Sequence, residues 1–78
     1  MYEIVGYQTV LKPDTDVVIG FKVHLIECGF TSVTEGFAVV SNYFSIEKIK
    51  GTLSVGAHCN ILYSQSSRGA YPAALLIG

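Results

Sequence analysis

Two histidines and two cysteines are the side chains best suited to metal binding: His24, His58, Cys28 and Cys59. The spacing His24-x-x-x-Cys28 places that pair on one face only if a strand runs regularly through both. A zinc site needs three or four protein ligands, and one His–Cys pair falls short of that number. We therefore predict no metal and no cofactor, and we interpret both histidines as ordinary strand residues.

Nucleophilic catalysis would require a cysteine with a neighbouring base and an orienting group. Neither Cys28 nor Cys59 has a base and an orienting group at a recognisable spacing in the sequence. The six carboxylates are scattered, and Asp14 and Asp16 flank a turn in which aspartate needs no functional role. The eight glycines are dispersed and form neither G-x-G-x-x-G nor G-x-x-x-x-G-K-[ST], the two phosphate-binding loop motifs. The sequence thus predicts a protein that is not an enzyme.

Tyrosines with lysine or arginine nearby have side chains suited to nucleic acid. Single strands are held by bases that stack on aromatic rings along a cationic track. Each residue also has a structural explanation, because tyrosine favours strands for packing alone and surface lysines are ordinarily solvated. The net charge of −1 counts against strong non-specific binding but leaves room for a locally basic face. The available residues are Tyr7, Lys12, Lys22, Tyr43, Lys48, Lys50, Tyr63, Arg68 and Tyr71.

The first half of the chain has the pattern of a β-hairpin followed by a third strand. β-formers fill Tyr2–Leu11, and Gly6 within them indicates a bend or a close backbone approach. Residues 12–16 form a turn around Pro13. Strand two is predicted over residues 17–27, a loop over 28–36 and a short strand over 37–41. Period-two spacing gives strand two a core face, made of Val17, Ile19, Phe21, Val23 and Leu25.

The second half is predicted to begin with one short helix or 3₁₀ turn within residues 42–51, capped by Asn42 or Ser45 and closed by Gly51. Apolar runs at 57–63 and 70–77 then flank a polar connection at 64–69, which is typical of a hairpin with a loop longer than two residues. Arg68 stands at its tip. Pro72 lacks a backbone donor, so it should lie at an edge, at a bulge or facing outward.

This order of elements predicts an all-β fold, namely a five-stranded OB-like small barrel with one short helix between strands three and four. Residues 1–78 would form a single domain. Closure into a barrel would remove the exposed edges that so hydrophobic a sheet cannot safely leave open.

The composition favours association of the chain with itself. Half of the 78 residues are hydrophobic and only 14% are charged, and a small domain has little interior in which to bury them. We therefore expect a homo-oligomer, most simply a dimer; a very compact single barrel is the alternative. The start of the chain has no signal-peptide pattern and no run reaches transmembrane length. A cytoplasmic protein with both cysteines reduced is expected, with a Cys28–Cys59 bridge as the alternative.

The segments YEIVGYQTV, FKVHLIE, FAVVSNYF and LSVGAHCNILYSQSSRGAYPAALLI resemble, in their order, small proteins of Gram-positive phages and mobile elements. The matching positions are Gly6-Tyr7, Val55-Gly56, Tyr63 and Arg68-Gly69. Those proteins are in turn similar to the filamentous-phage single-stranded-DNA-binding proteins, which are dimeric OB-like barrels. The resemblance implies a dimeric barrel that binds single-stranded DNA.

Two functional hypotheses follow from these observations. The first is a non-enzymatic single-stranded-DNA-binding protein of a phage or mobile element, in which stacking and phosphate contacts come from Tyr7, Lys22, Tyr63, Arg68 and Tyr71. The alternative is a protein-interaction or assembly module that oligomerises through apolar barrel surface and has no nucleic-acid ligand. The slightly acidic balance and the hydrophobic excess favour the alternative.

Overall fold

The computed structural model describes residues 1–27 and 39–78, which form one six-stranded mixed sheet. The strand order is β3-β2-β1-β5-β6-β4, and β4 alone runs parallel to its neighbour. The predicted all-β class is confirmed. The strands are β1 Tyr2–Leu11, β2 Val18–Glu27, β3 Val40–Ser45, β4 Ile49–Lys50, β5 His58–Ser66 and β6 Gly69–Ile77.

The predicted closed barrel of five strands is wrong. A sixth strand exists because Ile49 and Lys50 pair with Leu75 and Leu76 of β6. In the middle of the sheet, β1 and β5 pair at only two positions, Tyr2 with Cys59 and Glu3 with His58. No ladder joins β3 to β6 within the described residues, although the two strands approach each other. The gap between them is called the seam below.

Of the predicted short helix or 3₁₀ turn within residues 42–51, the 3₁₀ turn is found: it spans the three residues Ile46–Lys48. The residues before it continue β3 to Ser45. Ser45 precedes this turn with extended backbone and makes no side-chain cap hydrogen bond. Within the described residues, no helix has the length and apolarity needed to cross a membrane.

Several predictions concern residues 28–38. The loop at 28–36, the first part of the strand at 37–41 and Cys28, the alternative bridge partner of Cys59, all lie outside the described residues. The described strand β3 ends at Ser45, four residues beyond the predicted end. Cys59 itself is buried in the core.

A β-bulge at Val5 keeps both Ile4 and Tyr7 of β1 on the core side of the sheet. The register passes from Ile4 opposite Leu25 directly to Gly6 opposite His24. Because the bulge adds one residue, Tyr7 faces Val23 although it lies three positions after Ile4. The bend expected at Gly6 therefore appears as this bulge.

The core lies on one face of the sheet, and it is small. The core face predicted for β2 is right at Val23 and Leu25, which are fully buried, and wrong at its outer end. There Ile19 is 37% and Val17 58% exposed, because a second β-bulge breaks the period-two pattern: Val10 pairs with Gly20 and Leu11 with Val18, which leaves Ile19 as the extra residue. The buried cluster consists of Ile4, Val23, Leu25, Phe44, Cys59 and Leu75.

The β5–β6 hairpin has a tighter turn than predicted. Its strands continue until Ser66 pairs with Gly69, so only Ser67 and Arg68 form the turn. The Ser66 hydroxyl accepts a hydrogen bond from the Arg68 amide at 3.2 Å and donates one to the Gly69 carbonyl at 3.0 Å. Gly69 closes the turn with φ +112°, a value that glycine adopts without strain.

Pro72 occupies the kind of position expected for it. The β5–β6 register shifts beside it, between Leu62 and Tyr63. On its other side, β4 pairs with β6 only at Leu75 and Leu76. Pro72, which has no backbone N–H to donate, therefore lies beside a bulge, where β6 has a ladder with β5 but none with β4.

Candidate nucleic-acid interface

The seam between β3 and β6 contains a cavity of about 280 Å³, called the seam pocket below. It forms because the two strands converge without pairing. Three secondary-structure elements besides β3 contribute to its walls: the 3₁₀ turn, β5 and β6. The lining residues are Tyr43, Phe44, Ser45, Lys48, Ser64, Tyr71, Pro72 and Ala73.

Tyr43 is the best-positioned aromatic residue on the β3 side of the seam pocket. It pairs with Lys22 across β2 and β3, and its ring lies against Gly20. A Cβ atom at Gly20 would come within 2.7 Å of the Tyr43 hydroxyl, so the glycine makes room for the ring. The hydroxyl donates to the Ile19 carbonyl at 3.3 Å. The ring is thus held in place while remaining 49% exposed.

Lys22 lies on the outer face of the sheet, opposite the core. In the register it stands between Gln8 of β1 and Tyr43 of β3. Its neighbour on the same face, His24, shares a hydrogen bond of 2.7 Å with Ser41 through Nδ1. The predicted contact residue Lys22 is therefore exposed and adjacent to an aromatic ring.

Tyr71 lines the seam pocket from the β6 side. Tyr71 pairs with Ser64, and both residues line the pocket. Tyr71 is 47% exposed. Arg68 lies three residues earlier, at the exposed tip of the same hairpin. Of the five predicted contact residues, Tyr71 lines the seam pocket. Lys22 pairs across the sheet with the lining residue Tyr43, and Arg68 lies in the turn that precedes β6.

Tyr7 and Tyr63 lie elsewhere and do not line the seam pocket. Tyr7 is on the core side of β1, where its ring meets the edge of Phe21 with centroids 6.0 Å apart. Tyr63 is close to Tyr2, and a side-chain hydrogen bond between them raises the pKa of Tyr2. Both tyrosines thus have packing partners on the inner face, and the structure does not bring them together with the other three residues.

The described charges are unevenly distributed. Lys48 lines the seam pocket, Lys22 is the cross-strand partner of Tyr43, and Arg68 lies in the β5–β6 turn three residues before Tyr71. Glu47 is the carboxylate adjacent in sequence to one of these cations. Hydrogen bonds from its own backbone amide and from Ser45 lower the pKa of Glu47, so it is ionised at neutral pH. The remaining described carboxylates belong to the β1–β2 hairpin: Glu3, Asp14, Asp16 and Glu27.

Tyr43 and Lys48 were available as candidates but absent from the five predicted contacts, and Ser45 and Ser64 were missed altogether. Ending strand three at Ser41 placed Tyr43 in a helical turn, away from any cation. Extending that strand by four residues would have placed it opposite Lys22. Nothing local in the sequence indicates that Ser64 and Tyr71 approach β3, because that contact depends on the curvature of the whole sheet.

Within residues 1–27 and 39–78, no three His, Cys, Asp or Glu side chains cluster as they would around a metal ion. No protein-family model matches the chain, and neither a curated protein nor a solved structure matches it. The geometry of the seam pocket and of its neighbouring cations is therefore the basis for any functional assignment.

Proposed function

We propose that this chain is a non-enzymatic, cytoplasmic single-stranded-DNA-binding protein of a phage or mobile element. One observation supports the proposal most strongly: two half-exposed rings, Tyr43 and Tyr71, line one pocket together with Lys48. Rings with cations nearby suit a single strand, because bases stack on the rings and phosphates meet the cations.

In this proposal the strand runs from Lys22 past Tyr43 and Tyr71 toward Arg68. This path is called the track below, and Lys48 lies along it in the wall of the pocket. Tyr7 and Tyr63 lie off the track and contribute less to affinity. The fold would be an OB-like sheet with its seam left open, which is compatible with a class of barrel that is itself partly open.

The experiment is a titration of fluorescently labelled oligothymidylate followed by anisotropy at several salt concentrations. Neutralising Z phosphates of a single strand makes log K fall against log salt with a slope of about −0.7Z. Three cations on the track give an expected slope of about −2. If no anisotropy change occurs even at low salt, the proposal is wrong.

We also propose that the chain associates with a second copy of itself, since a specific feature favours it. Among the described residues only seven apolar side chains are buried, whereas fifteen large apolar or aromatic ones are exposed. Val17 and Ile19, near the turn of the β1–β2 hairpin, are among the exposed ones, so apolar surface is uncovered there. A net charge of −1 gives little repulsion between copies.

Light scattering is expected to give twice the mass of one chain, and Val17→Lys should shift the protein toward the monomer because it introduces a charge into this exposed apolar surface. If the unmodified protein is a monomer at high concentration, association is excluded. A dimer that binds no oligothymidylate would instead favour an assembly module without a nucleic-acid ligand.

A further inference from the structure

We infer that the seam pocket binds one nucleotide unit, with the base between Tyr43 and Tyr71 and the phosphate at Lys48. The choice of ligand class rests on the proposed function. The inference goes further because it assigns a bounded site to a single nucleotide, which a shallow stacking surface would not provide.

The size of the cavity is the first argument. Pockets for drug-sized ligands usually measure about 300–1,000 Å³, so a cavity of about 280 Å³ suits a smaller molecule. One nucleotide of a strand is such a molecule, whereas a folded peptide segment is not. The seam leaves an open side through which the rest of a strand could continue.

The apolar part of the lining suits a flat ring. Tyr43 comes from β3 and Tyr71 from β6, so aromatic surface is present on two sides of the cavity. Pro72 supplies further apolar wall. Every base has a π-face that stacks on such surfaces, so this arrangement does not require one particular base.

The polar part of the lining suits an anion with hydrogen-bonding groups. Lys48 supplies a positive charge, and Ser45 and Ser64 supply hydroxyl groups that can donate or accept. Among the described residues, no aspartate or glutamate lines the pocket. A neutral apolar ligand would gain nothing from Lys48, whereas a nucleotide uses both the cation and the rings.

The test is a titration followed through backbone amide shifts of the full chain in NMR, with four probes: thymidine 5′-monophosphate, thymidine, inorganic phosphate and an oligothymidylate. The expected result is that the monophosphate shifts amides of Tyr43, Ser45 and Tyr71, and binds more tightly than thymidine or phosphate alone. The oligothymidylate should shift the same amides.

Three variants separate the contributions of ring and charge. Tyr71→Leu is expected to weaken monophosphate binding at least about fivefold, the effect of losing one stacking contact. Tyr71→Phe should retain it because the ring remains. Lys48→Gln should abolish the preference for the monophosphate over thymidine. The matched control is Lys12→Gln, since Lys12 is an exposed lysine in the β1–β2 turn and should change nothing.

The outcomes distinguish this inference from the proposed function. If the oligothymidylate binds Tyr71→Leu and Lys48→Gln as tightly as the unmodified protein, the pocket is not the site. The inference and the track are then overturned, whereas single-strand binding itself stands. If the monophosphate binds at the pocket and the oligothymidylate does not bind, the inference is supported with a free nucleotide as ligand, and strand binding is overturned. If neither probe binds, both fail.

Discussion

Replacing Leu75 with alanine is expected to lower the free energy of unfolding by about 2–5 kcal/mol, the usual cost of emptying a buried leucine site. Leu75 is fully buried and belongs to the six-residue core cluster. It also sits at the centre of the sheet's second half, since its strand pairs there with Ile61 on one side and Ile49 on the other. A cavity at this point would loosen β4, β5 and β6 together.

The expected cost of Leu75→Ala is large relative to the free energy of unfolding of the whole protein. A chain of 78 residues has a free energy of unfolding of about 4–12 kcal/mol at typical values per residue. Loss of Leu75 therefore removes a large share of the stability. The measurement is urea denaturation followed by circular dichroism, in which the midpoint should fall while the slope stays the same.

Leu76→Ala is the matched control, because it makes the same chemical change one residue further along the same strand. Leu76 is 41% exposed and faces away from the core. Its loss should change the free energy of unfolding by about 0.5 kcal/mol at most, as for other surface positions. Equal effects at both positions would show that the core does not lie on the face described.

Local signals in the sequence were sufficient for the two hairpins. β1 occupies the predicted residues Tyr2–Leu11, and β2 begins one residue after its predicted start. Both depend on β-formers at period two around a Pro-Asp turn, which are properties of neighbouring residues. The position of Arg68 at a hairpin tip was predictable for the same reason.

Distant pairings could not be predicted. Serine and asparagine interrupt the apolar pattern of β3 at Ser41, Asn42 and Ser45, so its second half looked like a capped turn; its pairing with β2 determines the strand. β4 has only two residues, and nothing but its parallel pairing with β6 makes it a strand. The approach of Tyr43 to Tyr71 is likewise a property of the curved sheet, which has no signature in either segment.

A double substitution on the track, Lys22→Gln with Arg68→Gln, is expected to reduce affinity for oligothymidylate about a hundredfold at low salt. Charge-assisted contacts to phosphate contribute about 1.5 kcal/mol or more each, which is roughly tenfold per contact. The salt slope should change from about −2 to about −0.7, because only Lys48 would still neutralise a phosphate. Anisotropy titrations at several salt concentrations measure both quantities.

Lys12→Gln with Lys50→Gln gives a control of identical net charge. Each double variant removes two positive charges, and all four side chains belong to exposed residues. The two proteins therefore repel a strand equally at long range. They differ in where the removed cations lie. Lys22 is the cross-strand partner of Tyr43, and Arg68 lies in the turn three residues before Tyr71. Lys12 lies in the β1–β2 turn and Lys50 in β4.

The comparison separates a positioned track from general attraction. If affinity depends only on total charge, both doubles will lose the same amount and retain the same slope, and the proposed path from Lys22 to Arg68 is wrong. If the path is right, the control keeps the slope of about −2 and nearly all of its affinity. Because neither double removes a buried side chain or a described ion pair, unfolding of the protein does not account for a difference between them.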